Sequence, residues 1–292
     1  MGITRVLVAL LFASAGFPAP STVVLTAFES NNEAFGEALA GLRTVLGANG
    51  AQIIDLHTAG AESELDRALS RSDVGVLVAV GSESLTAVRA RNFNVPVIAT
   101  MVLHPPQGHF RAQVDLEVPL SALLAEMHLL LPQSRRVGII RGKSSSYPSP
   151  EALQAVALRA GYTAVVVESD GPARLLPSVA ALRGRADFLL CFPDADLFNS
   201  VTIKPLILAT LEDRLPVIGF SPGFVRAGAA AGIYPDYQEV GRQAGEMALR
   251  IARGEEHGTE EGPRKLRTAV NQRVARLLGI EFHTGPGVEI FR

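Results

Sequence analysis

Hydrophobic and polar positions along this chain fall into short blocks whose period switches back and forth. Residues 23–27, Val-Val-Leu-Thr-Ala, form a β-branched apolar run. Residues 32–47 carry Phe35, Leu39, Leu42 and Leu46 at spacings of three and four. The first block predicts a strand and the second an amphipathic helix. A strand over 51–56 and a short helix over 63–70 come next. Residues 74–80, Val-Gly-Val-Leu-Val-Ala-Val, are almost continuously apolar, as expected of a central parallel strand buried on both faces. A helix over 82–91 and a strand over 95–101 close this series.

The pattern then restarts. A helix over 120–131 is stopped by Pro132, and strands over 136–141, 163–168, 186–192 and 216–220 alternate with helices over 150–160, 175–182 and 199–211. After the last strand the sequence predicts a glycine-rich loop, a tyrosine-bearing corner at Ile233-Tyr-Pro-Asp-Tyr237, and an amphipathic helix over 239–253. Two successive β-α-β-α-β series predict an α/β chain of two doubly wound parallel-sheet lobes. The passage between them is placed at 111–119, where Gln113-Val-Asp-Leu-Glu-Val can run as a strand.

Composition narrows the picture. A chain of 292 residues is long enough for two lobes, and 48% hydrophobic with 19% charged residues suits a buried sheet rather than disorder. With 27 basic against 29 acidic residues and no basic stripe, nucleic acid is not an expected partner. The single cysteine, Cys191, excludes an intrachain disulfide and a two-cysteine metal site. Flanked by Phe188 and Phe192, it reads as a small apolar residue of a buried strand. The first 20 residues pair one Arg with the short apolar run 6–16 and a Pro/Ala exit. They predict a signal peptide rather than a membrane span, which needs about 20 apolar residues. With no cysteine near the exit, a freely diffusing periplasmic form without a lipid anchor is expected.

The order of Leu215-Pro-Val-Ile-Gly-Phe220, Gly228-Ala-Ala-Ala-Gly-Ile233, Asp236-Tyr237, Gly241-Arg-Gln-Ala-Gly245, Arg253-Gly-Glu255 and the segment 269–280 resembles the substrate-binding proteins of ABC importers, in their amino-acid or small-solute branch. That resemblance implies a type I periplasmic-binding fold, two lobes joined by a hinge of several crossovers, with a small-molecule solute held in the cleft. It implies a division into a signal peptide (1–20), an N-terminal lobe (21–117 plus 235–262) and a C-terminal lobe (118–234 plus 263–292). It also implies an ABC permease as partner, and no cofactor. Three loops depart from the family pattern: Gly81-Ser-Glu-Ser84 replaces a Gly-Thr-Pro type of loop, Pro193-Asp-Ala-Asp196 a Pro-Asp-Asn-Thr type, and Ser221-Pro-Gly223 an Asp-Glu-Gly type.

Parallel sheets bind ligands outside the carboxyl ends of their strands, and this gives an independent list of candidates: Phe28, Glu29, Ser82, Ser84, Met101, Lys143, Ser144, Ser145, Asp194, Ser221, Tyr234 and Asp236. Ser82 and Ser84 begin a predicted helix and could donate to a carboxylate or serve as plain caps. Lys143, Ser144 and Ser145 offer a cation and hydroxyl donors. Asp194 and Asp236 could hold an ammonium, and Asp236 could instead cap the following helix. Tyr234 or Tyr237 fits either a ligand wall or hinge packing.

Catalytic equipment is sparse. There is no His-Glu-x-x-His and no phosphate-binding Gly-x-x-x-x-Gly-Lys-Ser/Thr loop. His104 and His109 share one loop, which reads as a solvated hinge or a metal pair. The expected function is therefore capture by an exported solute-binding protein of an ABC-type importer. The alternative is a ligand-sensing or interaction module of the same fold, with no transport role.

Overall fold

The structure, a computed structural model, describes residues 23–28, 30, 33–47, 50–91, 93–105, 108, 110–143, 147–255 and 258–292. The predicted signal peptide therefore lies outside the described residues.

The first lobe is built from β1 (Val23–Phe28), α1 (Glu33–Leu46), β2 (Ala51–Asp55), α2 (Ala61–Leu69), β3 (Val74–Val80), α3 (Ser82–Arg89), β4 (Val97–Thr100) and β5 (Ala112–Val114). The second contains α4 (Leu120–Leu130), β6 (Arg136–Gly142), α5 (Pro150–Arg159), β7 (Thr163–Ser169), α6 (Leu175–Ala180), β8 (Phe188–Leu190), α7 (Ile203–Glu212), β9 (Val217–Gly219), α8 (Pro222–Arg226) and β10 (Ala231–Pro235). The chain returns to the first lobe for α9 (Tyr237–Ala252) and β11 (Glu260–Glu261). It ends in the second with β12 (Leu266–Asn271), α10 (Gln272–Leu278) and β13 (Glu289–Phe291).

Among the described residues these strands form two sheets, ordered β11-β5-β4-β3-β1-β2 and β13-β12-β10-β9-β8-β6-β7. Every pairing is parallel except that of β10 with β12. Both sheets reverse direction at their first strand, so switch points fall between β1 and β3 and between β6 and β8. The chain passes between sheets after β5, β10 and β11.

The apolar run of β3 splits as predicted. Val76, Val78 and Val80 pack with α1 and α9, and Leu77 and Ala79 with α2 and α3. In the second lobe Ile139 and Ile140 face opposite cores in the same way. Helices α1 and α9 approach unusually closely. A Cβ at Gly241 would stand 1.7 Å from Ala38 O, and one at Gly41 1.8 Å from Gln238 O. Only glycine allows these backbones to touch.

The predicted glycine-rich loop and tyrosine corner need correction. Residues Ala231–Pro235 form a fully buried strand between β9 and β12. The run Ala-Gly-Ile-Tyr-Pro carries no readable period, and at Gly232 a Cβ would meet Val225 Cγ2 at 2.7 Å. Helix α7 begins at Ile203 rather than at 199, because the Asn199 side chain accepts from the Val201 and Thr202 N–H groups and holds a turn there.

Candidate functional site

A cavity of about 470 Å³ opens outside the carboxyl ends of β6, β7, β8 and β9, on the side of the second lobe that meets the first. Its volume suits a small solute. From the second lobe it is bordered by Gly142 and Lys143 after β6, by Tyr147, by Ser169 to Gly171 after β7, by Pro193 to Phe198 after β8, and by Phe220 after β9. The first lobe contributes Leu103 and His104, from the turn after β4.

Asp194 is the best-held polar group of this wall. Its Oδ1 accepts from the N–H groups of Asp196 (3.1 Å) and Leu197 (3.2 Å), and its carbonyl accepts from Phe198 N at 2.7 Å. Oδ2 lies 3.0 Å from the position a Cβ at Gly142 would take, and it has no hydrogen-bond partner among the described residues. The loop thus fixes one carboxylate oxygen and leaves the other for a cation. Lys143 Nζ lies 3.1 Å from Asp170 Oδ2, so the cation of the wall already has a counter-charge.

The apolar part of the wall is aromatic. Phe198 and Phe220 pack at 6.4 Å between ring centroids, and both adjoin the buried Phe224. Tyr147 stacks on Phe192 at 4.9 Å, and its carbonyl accepts from the buried Arg141 Nη2 at 3.1 Å. Arg141 also pairs with Glu168. Burial pushes the Tyr147 hydroxyl above the ordinary phenol range, and the charges of Glu117, Asp115 and Asp194 add to the shift. His104 of the first lobe stands edge-on to Tyr147, with centroids 5.5 Å apart at 82°. Its Nδ1 is 3.7 Å from Glu117 Oε2, in the passage that follows β5. Burial raises the Glu117 carboxyl above its usual range; the His104 charge acts against this, while Asp115 and Glu260 add to it.

Of the candidates read from sequence, Lys143 and Asp194 meet in this cavity. Glu29, Ser144 and Ser145 lie outside the described residues. Phe28, Ser82, Ser84, Met101, Ser221, Tyr234 and Asp236 do not border it. Phe28 packs against the α1–α9 core. Ser82 is exposed and is the first helical residue of α3, whose cap is Gly81, so neither a capping role nor a place in the cavity holds for it. Ser84 is fully buried. Met101 is buried in the core with a left-handed φ of 58°, and it turns the chain so that Leu103 and His104 reach the cavity. Ser221 Oγ accepts from Phe224 N as the cap of α8. Tyr234 is 1% exposed and donates to Glu289.

Asp236 is engaged as a helix cap and in ion pairs, away from the cavity. It caps α9 by accepting from Glu239 N (3.2 Å) and pairs with Lys265 (2.9 Å) and Arg267 (3.3 Å). Tyr237, stacked on Tyr234 at 5.9 Å, has its phenol pushed up to about 12 by burial and the nearby Glu37.

Sequence reasoning missed Tyr147, Asp170, Asp196, Phe198 and Phe220, and it read His104 only as a hinge or metal residue. Apart from Asp170, which follows β7 and whose loop was not among the candidates, these residues lie in or beside the loops after strands that the sequence singled out, so the loops carried the signal while individual positions did not. His109 lies outside the described residues. Among the described residues no group of three or more His, Cys, Asp or Glu side chains is placed to hold a metal. No described helix is long and apolar enough to cross a membrane.

A family model described as ABC transporter substrate binding protein matches residues 33–283. A tyrosine-binding protein of Clostridioides difficile (strain R20291) is 24% identical over 196 residues, which is 63% of this chain and 56% of that protein's length. Among solved structures, the ligand-free, open form of a substrate binding protein with adhesive properties from Clostridium difficile superposes with a TM-score of 0.67 at 18% identity, covering 93% of this chain and 99% of that one. An ABC domain in complex with L-Trp from Streptococcus pneumonia gives a TM-score of 0.57 at 16% identity, covering 93% and 100%.

Proposed function

Since the chain belongs to the ABC transporter substrate binding protein family, we propose that it captures an aromatic amino acid or a similar amphiphilic amine for an ABC-type importer. The observation that carries this reading is the Asp194 carboxylate, fixed at Oδ1 by two loop N–H groups with Oδ2 left without a described partner, in a wall that also holds Phe198, Phe220 and Tyr147. An ammonium pairs with such a carboxylate, and an aromatic ring fills the apolar remainder. The tyrosine named for one relative and the L-Trp complex of another support the same class.

Hinge closure would bring the ends of β1 and β3, with Phe28 and Ser82, onto the solute from the other side. Export to the periplasm, docking on a permease, and the division of the chain near residues 117, 235 and 262 belong to the same proposal. A second reading, an interaction module without transport, draws on the adhesive properties named for one structural relative.

Titration separates these readings. The chain has no tryptophan, so L-tryptophan fluorescence, excited beyond the tyrosine absorption band, reports binding without a tryptophan background from the protein. Saturable binding of L-tryptophan or L-tyrosine, with no binding of an aromatic acid lacking the amine, is the expected result. A folded protein that ignores every amine offered contradicts the capture reading.

A further inference from the structure

An amino acid bound through its ammonium also carries a carboxylate, which needs a donor. Lys143 Nζ is engaged with Asp170, and the Ser169 hydroxyl donates to Gly171 O. His104 is placed differently. Nδ1 faces Glu117 at 3.7 Å, and Nε2 has no hydrogen-bond partner among the described residues. Its side chain is 38% exposed and borders the same cavity as Asp194, from the opposite lobe.

The backbone supports a ligand-directed role. Met101 and His104 both hold left-handed φ values, 58° and 48°, within one turn. Such conformations are costly for residues other than glycine and cluster at ligand clamps. The edge contact with Tyr147 fixes the ring from the second lobe.

We propose that His104 is the specificity-determining residue that receives the solute's carboxylate. Its Nε2–H is the donor toward the solute, while Nδ1 keeps its place 3.7 Å from Glu117 Oε2. With the ammonium on Asp194 and the carboxylate on His104, an α-amino acid spans the two lobes, whereas an amine without a carboxylate engages only the second. This inference rests on the cavity being the solute site.

Calorimetric titration with L-tyrosine and with tyramine, which differ by the carboxylate, tests it in wild type, His104→Ala, His104→Gln and Asp194→Asn. The expected result is a loss of about tenfold or more for L-tyrosine in His104→Ala, partial recovery in the donor-retaining His104→Gln, and tyramine affinity within about twofold of wild type in both. Asp194→Asn should weaken both probes. Equal losses for the two probes in His104→Ala would assign His104 to hinge packing and overturn the inference, as would no loss for either. If wild type binds neither probe, the reading of the cavity itself fails and this inference falls with it. If wild type binds both equally and Asp194→Asn weakens both, the cavity stands and the carboxylate role is lost.

Discussion

Gly142 and Asp194 occupy each other's space: a Cβ on Gly142 would lie 3.0 Å from Asp194 Oδ2, and it is the bare glycine that lets the carboxylate lean over the end of β6. The contact is with a side-chain end, while the other oxygen is held by two loop N–H groups. Gly142→Ala should therefore displace Oδ2 without disturbing the core. The expected outcome is weaker binding of L-tryptophan by fluorescence titration, with unfolding free energy within about 1 kcal/mol of wild type, as for a change away from the core.

The α1–α9 contact leaves less room for adjustment. A Cβ at Gly41 or Gly241 meets backbone rather than a movable side chain. Either Gly→Ala change must force the helices apart and should cost about 1–3 kcal/mol or more. Urea unfolding of each variant checks this, and Gly36→Ala, which meets nothing within 4 Å, is the control that should not destabilise.

Tyr162 is 2% exposed, and its hydroxyl has no hydrogen-bond partner among the described residues. A buried unsatisfied hydroxyl is unfavourable, so Tyr162→Phe should be neutral or stabilising by about 1 kcal/mol. Thermal melting decides it, and a clear fall in Tm would mean that the hydroxyl is bonded in solution.

Burial opposes ionisation of Asp236, but the Lys265 hydrogen bond, the Glu239 N–H and the Arg267 charge outweigh it and hold the carboxyl below its ordinary value. Burial opposes ionisation of Asp187 too, and there the N–H groups of Arg135 and Arg136 with the Arg136 side chain prevail. A carboxyl with a depressed folded pKa stabilises the fold above its unfolded value, about 3.9, and that contribution is lost as pH falls through the folded pKa. Stability should decline from about pH 5 downward. Asp236→Asn, which keeps the cap acceptor, should flatten that decline, whereas Asp236→Ala should also cost about 1 kcal/mol at pH 7 through the lost cap. Chemical denaturation across pH measures both.

The fold was legible wherever period and burial coincide. The run from Val74 to Val80 and the spacing of Phe35, Leu39, Leu42 and Leu46 each led to the right element. Ala231–Pro235 was not legible, because Ala-Gly-Ile-Tyr-Pro shows no alternation that announces a strand, although all five residues are buried. At the site, Lys143 and Asp194 could be read from their places after strands, while Asp236 looked the same in sequence and proved to be a helix cap. His104, Tyr147, Phe198 and Phe220 were obscured because their meeting depends on loop paths, including left-handed turns at Met101 and His104, that no local pattern announces.

The most direct test of solute capture is a calorimetric titration of L-tyrosine and L-tryptophan into wild type and Asp194→Asn, with thermal unfolding of both proteins recorded alongside. Saturable wild-type binding that falls about tenfold or more in Asp194→Asn, at similar unfolding temperatures, is the predicted result. Undiminished binding in Asp194→Asn would contradict it.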